Sequence, residues 1–247
     1  MKRLEGKRAF VTGAGRGIGK AIAMGLAEAG AEVAIADIDP ETAEAAAREI
    51  PNATPIVVDV SDRKAVFAAI DGYAANGGLH ILVPNAVYFN YAPLVDMPED
   101  VVDRMLDIGL KGTFWAVAAA TPHIAKSGGG SIITLSSIAV SIAIPRAAVY
   151  TSIKGAIDAF TRQQAIELAP LGIRVNALAP GTVPTPGVAT IADEAALERR
   201  KALSPFNRLV QADEIADGAV FLASEEARSI TGITLKIDAA QTISGPR

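Results

Sequence analysis

The chain of 247 residues has a formal net charge of −4, with half its residues hydrophobic and 20% charged. That balance suits a sizeable buried core and gives no clustered basic surface for nucleic acid or an anionic membrane. The absence of cysteine excludes disulfides, a thiol nucleophile and Cys-based metal sites, and no run approaches the roughly 18 apolar residues of a membrane span.

Short β-branched runs alternate with longer helical stretches, the pattern of a parallel sheet covered on both faces. Arg8-Ala9-Phe10-Val11-Thr12 predicts a first strand, and 32–36 a second, after a helix that Gly30 terminates. Further strands are expected at 54–58, 81–84, 131–135, 173–179 and 234–237, with helices at 40–50, 62–75, 101–125, 149–168 and 212–223. Seven strands joined by crossovers make one doubly wound α/β sheet of Rossmann type. No composition shift or repeat marks a linker, so 1–247 reads as a single domain. The basic start, Met1-Lys2-Arg3, is followed by no signal-peptide apolar core, and the cytoplasm is the expected compartment. His80 and His123 sit in no metal-ligand motif and read as structural; no metal is expected.

One segment is less regular. From Pro180 to Asn207, four prolines surround a short helical pattern. A long excursion after a strand's carboxyl end reads either as a ligand-covering loop, at about 181–207, or as a plain surface connection.

Thr12-Gly13-Ala14-Gly15-Arg16-Gly17-Ile18-Gly19 follows a strand and opens a helix. Glycines let the backbone approach a pyrophosphate, which then sits on free helix N–H groups. The spacing is T-G-x-x-x-G-x-G and is weak evidence alone. It gains weight from Asp37 at the end of the next strand, where a carboxylate can accept from the adenosine ribose hydroxyls of NAD. The extra phosphate of NADP would meet repulsion of roughly 4 kcal/mol at about 4 Å and an effective dielectric of about 20. Arg16 pulls the other way, toward that phosphate. A competing reading makes Asp37 a turn acid beside Asp39.

Tyr150 and Lys154 are four apart in a helical pattern and share a face. A phenol titrates near 10, and a neighbouring ammonium together with a nicotinamide cation would lower that value. The pair lies downstream of the dinucleotide turn and of Ser137 at a strand end.

With these residues in place, the chain resembles the short-chain dehydrogenase/reductase family over nearly its whole length. The matching marks are the turn at 12–19, Asp59-Val60, Asn85-Ala86, Ser136-Ser137, and Tyr150-x-x-x-Lys154. Later come Asn176-x-x-x-Pro180-Gly181-x-x-x-Thr185 and Thr231-Gly232. The resemblance implies that Tyr150 exchanges a proton with the substrate oxygen while Ser137 hydrogen-bonds it. It also implies that Lys154 binds the nicotinamide ribose, Asp59 and Val60 meet the adenine, and Asn85 the adenosine-side ribose. By the same resemblance Gly13, Arg16, Gly17, Ile18 and Gly19 are expected to bind the cofactor, and Pro180, Gly181, Val183 and Thr185 to hold its nicotinamide end. A homotetramer is also implied, and the apolar patterns at 115–120 and 160–165 suit helices paired across a two-fold axis.

The chain departs from the family pattern at three places. Gly109 stands where the family has a catalytic asparagine that holds a relay water. Asn85-Ala86-Val87 replaces N-A-G, and Ala239-Ala240 replaces a glycine pair, both read as packing differences. Val87, Ile138, Val140 and Ile144 predict an apolar substrate pocket without a charged clamp. The expected activity is hydride transfer between NAD(H) and a small or medium, fairly apolar secondary alcohol or ketone. The alternatives are a 3-oxoacyl-[acyl-carrier-protein] reductase, against which Asp37 argues, and a dinucleotide-binding sensor with impaired catalysis, which Gly109 alone supports.

Overall fold

The computed structural model describes residues 2–245. Its strands are β1 (Arg8–Thr12), β2 (Glu32–Asp37), β3 (Ala53–Val57), β4 (Ile81–Val83), β5 (Gly130–Leu135), β6 (Ile173–Pro180) and β7 (Thr234–Ile237). All pair in parallel, in the order β3-β2-β1-β4-β5-β6-β7. The helices are α1 (Gly17–Glu28), α2 (Pro40–Glu49), α3 (Arg63–Ala74), α4 (Glu99–Leu106), α5 (Gly112–Lys126), α6 (Ala148–Leu168), α7 (Glu194–Ala202) and α8 (Ala212–Ala223).

Strand alternation decides which layer each side chain joins. Val11, Val33 and Ile35 pack with Ile22 and Leu26 of α1 and Ile215 and Ala219 of α8. Their neighbours Phe10, Ala34 and Leu82 point the other way, onto Ile70 of α3, Ala116 and Ile124 of α5, and Leu168 of α6. Each large aliphatic side chain removed from water in this way contributes about 1.5–3 kcal/mol. Two buried cores, one per face, therefore hold the sheet between helical layers.

The predicted helix at 101–125 is interrupted. α4 and α5 are joined by a π-helical turn, Asp107–Lys111, with Gly109 buried in its middle. Such turns take an extra residue into the hydrogen-bond ladder. The segment after β6 holds a turn at Val188–Thr190 and α7, whose N-cap Asp193 accepts from the Ala196 N–H at 2.7 Å.

The order of β3-β2-β1 reverses direction at β4. The carboxyl ends of β1 and β4 consequently diverge and leave a crevice between their connections, the position where doubly wound sheets bind ligands.

Candidate active site

That crevice opens into a cleft of about 560 Å³ lined by every residue named above for catalysis or cofactor binding. Gly13, Arg16, Gly17, Ile18 and Gly19 come from the β1–α1 turn, Asp37 from the tip of β2, and Asp59 and Val60 from beyond β3. Asn85 follows β4, Ser137 follows β5, Tyr150 and Lys154 sit on α6, and Pro180, Gly181, Val183 and Thr185 come from the end of β6 and beyond.

The glycine turn is built too tightly for side chains. A Cβ on Gly19 would stand 2.1 Å from the Gly13 carbonyl oxygen, and one on Gly13, 2.9 Å from Ala86 Cα. Asn85 locks this arrangement: its Nδ2 donates to the carbonyls of Thr12 at 2.9 Å and Gly13 at 3.1 Å. The Thr12 hydroxyl in turn accepts from the Asn85 and Ala86 N–H groups, both at 3.0 Å. The amide expected to meet a ribose thus spends its donors on the backbone.

Asp37 and Asp39 divide their work. Asp39 caps α2, accepting from the N–H groups of Glu41 and Thr42. Asp37 faces the cleft, with Oδ2 accepting from Gly15 N–H at 2.9 Å and Oδ1 from Asp39 N–H at 3.2 Å. Asp37 therefore shares in the turn while facing the cleft, and the helix cap falls to Asp39. Asp59 is fixed by Ser61, whose hydroxyl and N–H both donate to Oδ1.

At the other end, the buried Lys154 ammonium donates to the Leu135 carbonyl at 2.6 Å and stands 5.8 Å from the Tyr150 ring centroid. Burial away from compensating carboxylates pulls its pKa down to about 8. Burial also raises the Tyr150 pKa, and the Ser137 hydroxyl only partly opposes this. Desolvation, not the neighbouring ammonium, sets the phenol in this structure, and it keeps its proton at neutral pH. Ser137 itself accepts from Ala139 N–H at 3.1 Å.

These features fit a nicotinamide dinucleotide. The first turn of α1 carries neither a side-chain cap nor an acidic residue, leaving its N–H groups for an anion. A carboxylate waits three strand spacings away from a buried ammonium, a span of about 14 Å.

A protein-family model described as Enoyl-(Acyl carrier protein) reductase matches residues 13–240. Sorbitol dehydrogenase of Cereibacter sphaeroides is 39% identical, over 98% of this chain and 100% of its own. The structure of gluconate 5-dehydrogenase from Burkholderia cenocepacia, in complex with NADP and tartrate, superposes with a TM-score of 0.92 at 37% identity, covering 97% of this chain and 96% of that one. The 3-ketoacyl-(acyl-carrier-protein) reductase of Brucella melitensis, complexed with NADH, gives a TM-score of 0.92 at 32% identity, covering 97% of this chain and 100% of that one. The chain belongs to the short-chain dehydrogenase/reductase family. It is an oxidoreductase acting on CH–OH groups, and the cofactor of its family is a nicotinamide dinucleotide.

The expected pocket was incomplete. Val87, Ile138 and Ile144 line the cleft, but Val140 does not; it is 40% exposed on its short helical turn. Tyr88, Phe89 and Tyr91, from the run after β4, do line it. The Phe89 and Tyr91 rings stand 5.9 and 5.6 Å from that of Tyr150. Arg104 and Arg200 reach the same walls, so the pocket is not free of charge. The clustered aromatics at 88–91 were a legible signal; the two arginines, on surface-patterned helices, were not.

Gly109 is flanked by aliphatic side chains. A Cβ there would meet Ile153 Cγ2 at 3.2 Å and Val87 Cγ2 at 3.9 Å, so hydrocarbon borders the place of the family's asparagine. The Gly109 carbonyl accepts from the Thr113 hydroxyl at 3.0 Å. Ala239 and Ala240 are more than packing differences: both hold left-handed backbone, with φ of 49° and 64°. The histidines are structural, His80 Nδ1 accepting from Arg8 N–H and His123 pairing with Asp71. No metal-binding cluster occurs among the described residues, and no helix is long and apolar enough to cross a membrane.

Proposed function

We propose that the protein interconverts a small or medium secondary alcohol and its ketone with NAD(H), using Tyr150 as the proton-exchanging group. The observation that carries this reading is the shared cleft. It presents Asp37 at the tip of β2 and Ser137, Tyr150 and Lys154 beyond β5, with the glycine turn between.

When bound, the nicotinamide supplies or accepts the hydride. The protein's own part is position and proton movement. In reduction, the protonated Tyr150 hydroxyl gives its proton to the substrate oxygen, and Ser137 donates a second hydrogen bond to that oxygen. In oxidation, the same phenol must lose its proton first, which its burial opposes. The hydrogen bond from the Ser137 hydroxyl offsets this in part. Lys154 holds the nicotinamide ribose hydroxyls. Asp37 accepts from the adenosine ribose and disfavours a phosphate there, opposed by Arg16.

The segment at 181–207 serves as the substrate cover; Thr185, Gly187, Val188 and Ile191 reach the cleft wall. A homotetramer with two-fold axes is supported by α5 and α6. Their Phe114 and Phe160 rings meet at a tilt, 4.7 Å apart, while only half-buried, and Ile166 is 76% exposed. Sedimentation as a monomer at micromolar concentration would refute it.

The Brucella relative's name supports a 3-oxoacyl-[acyl-carrier-protein] reductase as the second reading, and its complex with NADH weakens the argument from cofactor preference against it. A panel of alcohols, ketones and 3-oxoacyl thioesters, each with NAD(H) and NADP(H), separates the readings. Turnover confined to thioesters would favour the second, and no turnover with intact NADH binding would favour a sensor.

A further inference from the structure

We propose that the substrate carries a carboxylate remote from its reacting carbon, and that Arg200, with Arg146 and Arg199, forms the site that receives it. The proposal rests on the dehydrogenase reading above and specifies its substrate class.

Beyond Tyr91 the active cleft adjoins a second cavity of about 760 Å³, and the two share Tyr91, Ile144 and Arg200 as walls. Tyr91 lies 5.6 Å, ring to ring, from Tyr150, so the passage begins beside the proposed proton donor. Arg146, Arg199 and Arg200 all line this second cavity. Among the described residues none of the three has an ion-pair partner, and none donates a side-chain hydrogen bond. The acid on that wall, Asp193, is committed to capping α7. Glu198, on the same helix, is paired with Lys201.

Three guanidinium groups around one cavity repel one another, and each has a planar fork of donors matched to a carboxylate. An anion entering the cavity relieves that repulsion and gains charge-assisted hydrogen bonds. Arg200 is the central member, because it is half-buried and lines both cavities. Arg146 is held at the rim by a turn with φ of 65°. The aromatic rings of Phe89 and Tyr91 would then flank the apolar body of the substrate between its carbonyl and its carboxylate.

The test is calorimetric titration of the NAD⁺-loaded protein with para-acetylbenzoate and its neutral isostere para-acetylbenzamide. The longer pair, acetylphenylpropanoate and its amide, is titrated alongside. Oxidised cofactor with a ketone cannot turn over, so binding alone is read. At least one acid is expected to bind ten times or more tighter than its amide. Arg200→Gln should bring that ratio close to one, and Arg146→Gln should lower it by a smaller factor. Equal affinity of both acids and their amides in the wild type would overturn the proposal. So would an Arg200→Gln variant that loses NAD⁺ affinity, because Arg200 would then be a cofactor contact. Failure of the dehydrogenase reading shows separately, as no oxidation of NADH by any of the four ketones despite measured binding.

Discussion

The Lys154 ammonium donates to the carbonyl of Leu135 at 2.6 Å, from the buried face of α6 to the carboxyl end of β5. That bond aims the ammonium, but it does not balance the charge, and burial holds the pKa at about 8. In the unfolded chain the same lysine titrates near 10.4. Below about pH 8 both states are charged and the native state bears the full penalty of a buried ammonium. As pH rises from about 8 to about 10.4, the unfolded chain binds more protons than the folded one, so this penalty fades and stability rises.

Lys154→Met should therefore melt higher than the wild type at pH 7, and the gap should narrow as pH rises toward 10. Thermal melts across that range check it. A gap that is constant with pH would mean that Lys154 titrates in the native protein as it does in a peptide.

Asp37→Ser should narrow the proposed preference for NAD over NADP by removing a negative charge from the adenosine end. Because Asp37 also accepts from Gly15 N–H, the substitution should cost some affinity for NAD as well. Steady-state kcat/KM with both cofactors reads both effects. A wild type that prefers NADP(H) would contradict the assignment, and would credit Arg16 instead.

Gly109→Asn alone should change kcat by less than about tenfold, and where it acts it should lower it, since the new Cβ lies 3.2 Å from Ile153 Cγ2. Pairing it with Ile153→Ala makes room. The double variant should recover the loss, giving a non-additive cycle of about 0.5–3 kcal/mol. A hundredfold gain in kcat from Gly109→Asn alone would mark the natural chain as a crippled catalyst.

Ala239 and Ala240 hold left-handed backbone just after β7, where the buried Asp238 accepts from the N–H groups of Ala240 and Thr242. An L-residue held there costs roughly 1–2 kcal/mol, against about 0.5–1 kcal/mol for the extra freedom of an unfolded glycine. Ala240→Gly should therefore stabilise, raising the melting temperature by up to about 4 °C. A lower melting temperature would show that contacts of the Ala240 methyl outweigh the strain.

The central strand-forming runs were legible because both faces of the sheet are covered there, which makes them short apolar blocks, as at Val33 to Ala36. The glycine turn, Asp37 and the Tyr150–Lys154 pair were legible because local spacing carries their chemistry. The π-turn at Asp107–Lys111 was not, since the apolar period runs on through it and only Gly109 and Gly112 interrupt the pattern. The wall of the pocket was half legible. Ile138 follows Ser137 directly and Ile144 lies seven residues beyond it, whereas Arg104 and Arg200 reach the cleft through tertiary packing of segments distant in sequence. The direction of the Tyr150 shift was also hidden, because proximity to Lys154 can be read from spacing and desolvation cannot.

If Tyr150 moves the proton, Tyr150→Phe should separate chemistry from binding. The ring keeps its contacts with Phe89 and Tyr91, so cofactor binding should persist while the exchangeable proton is gone. NADH titration by fluorescence is paired with the rate on the best ketone of the panel. NADH affinity should stay within about threefold of wild type, and the rate should fall by at least the roughly 10²-fold that a positioned proton donor supplies. More than a few per cent of the wild-type rate in Tyr150→Phe, with NADH bound normally, would contradict it.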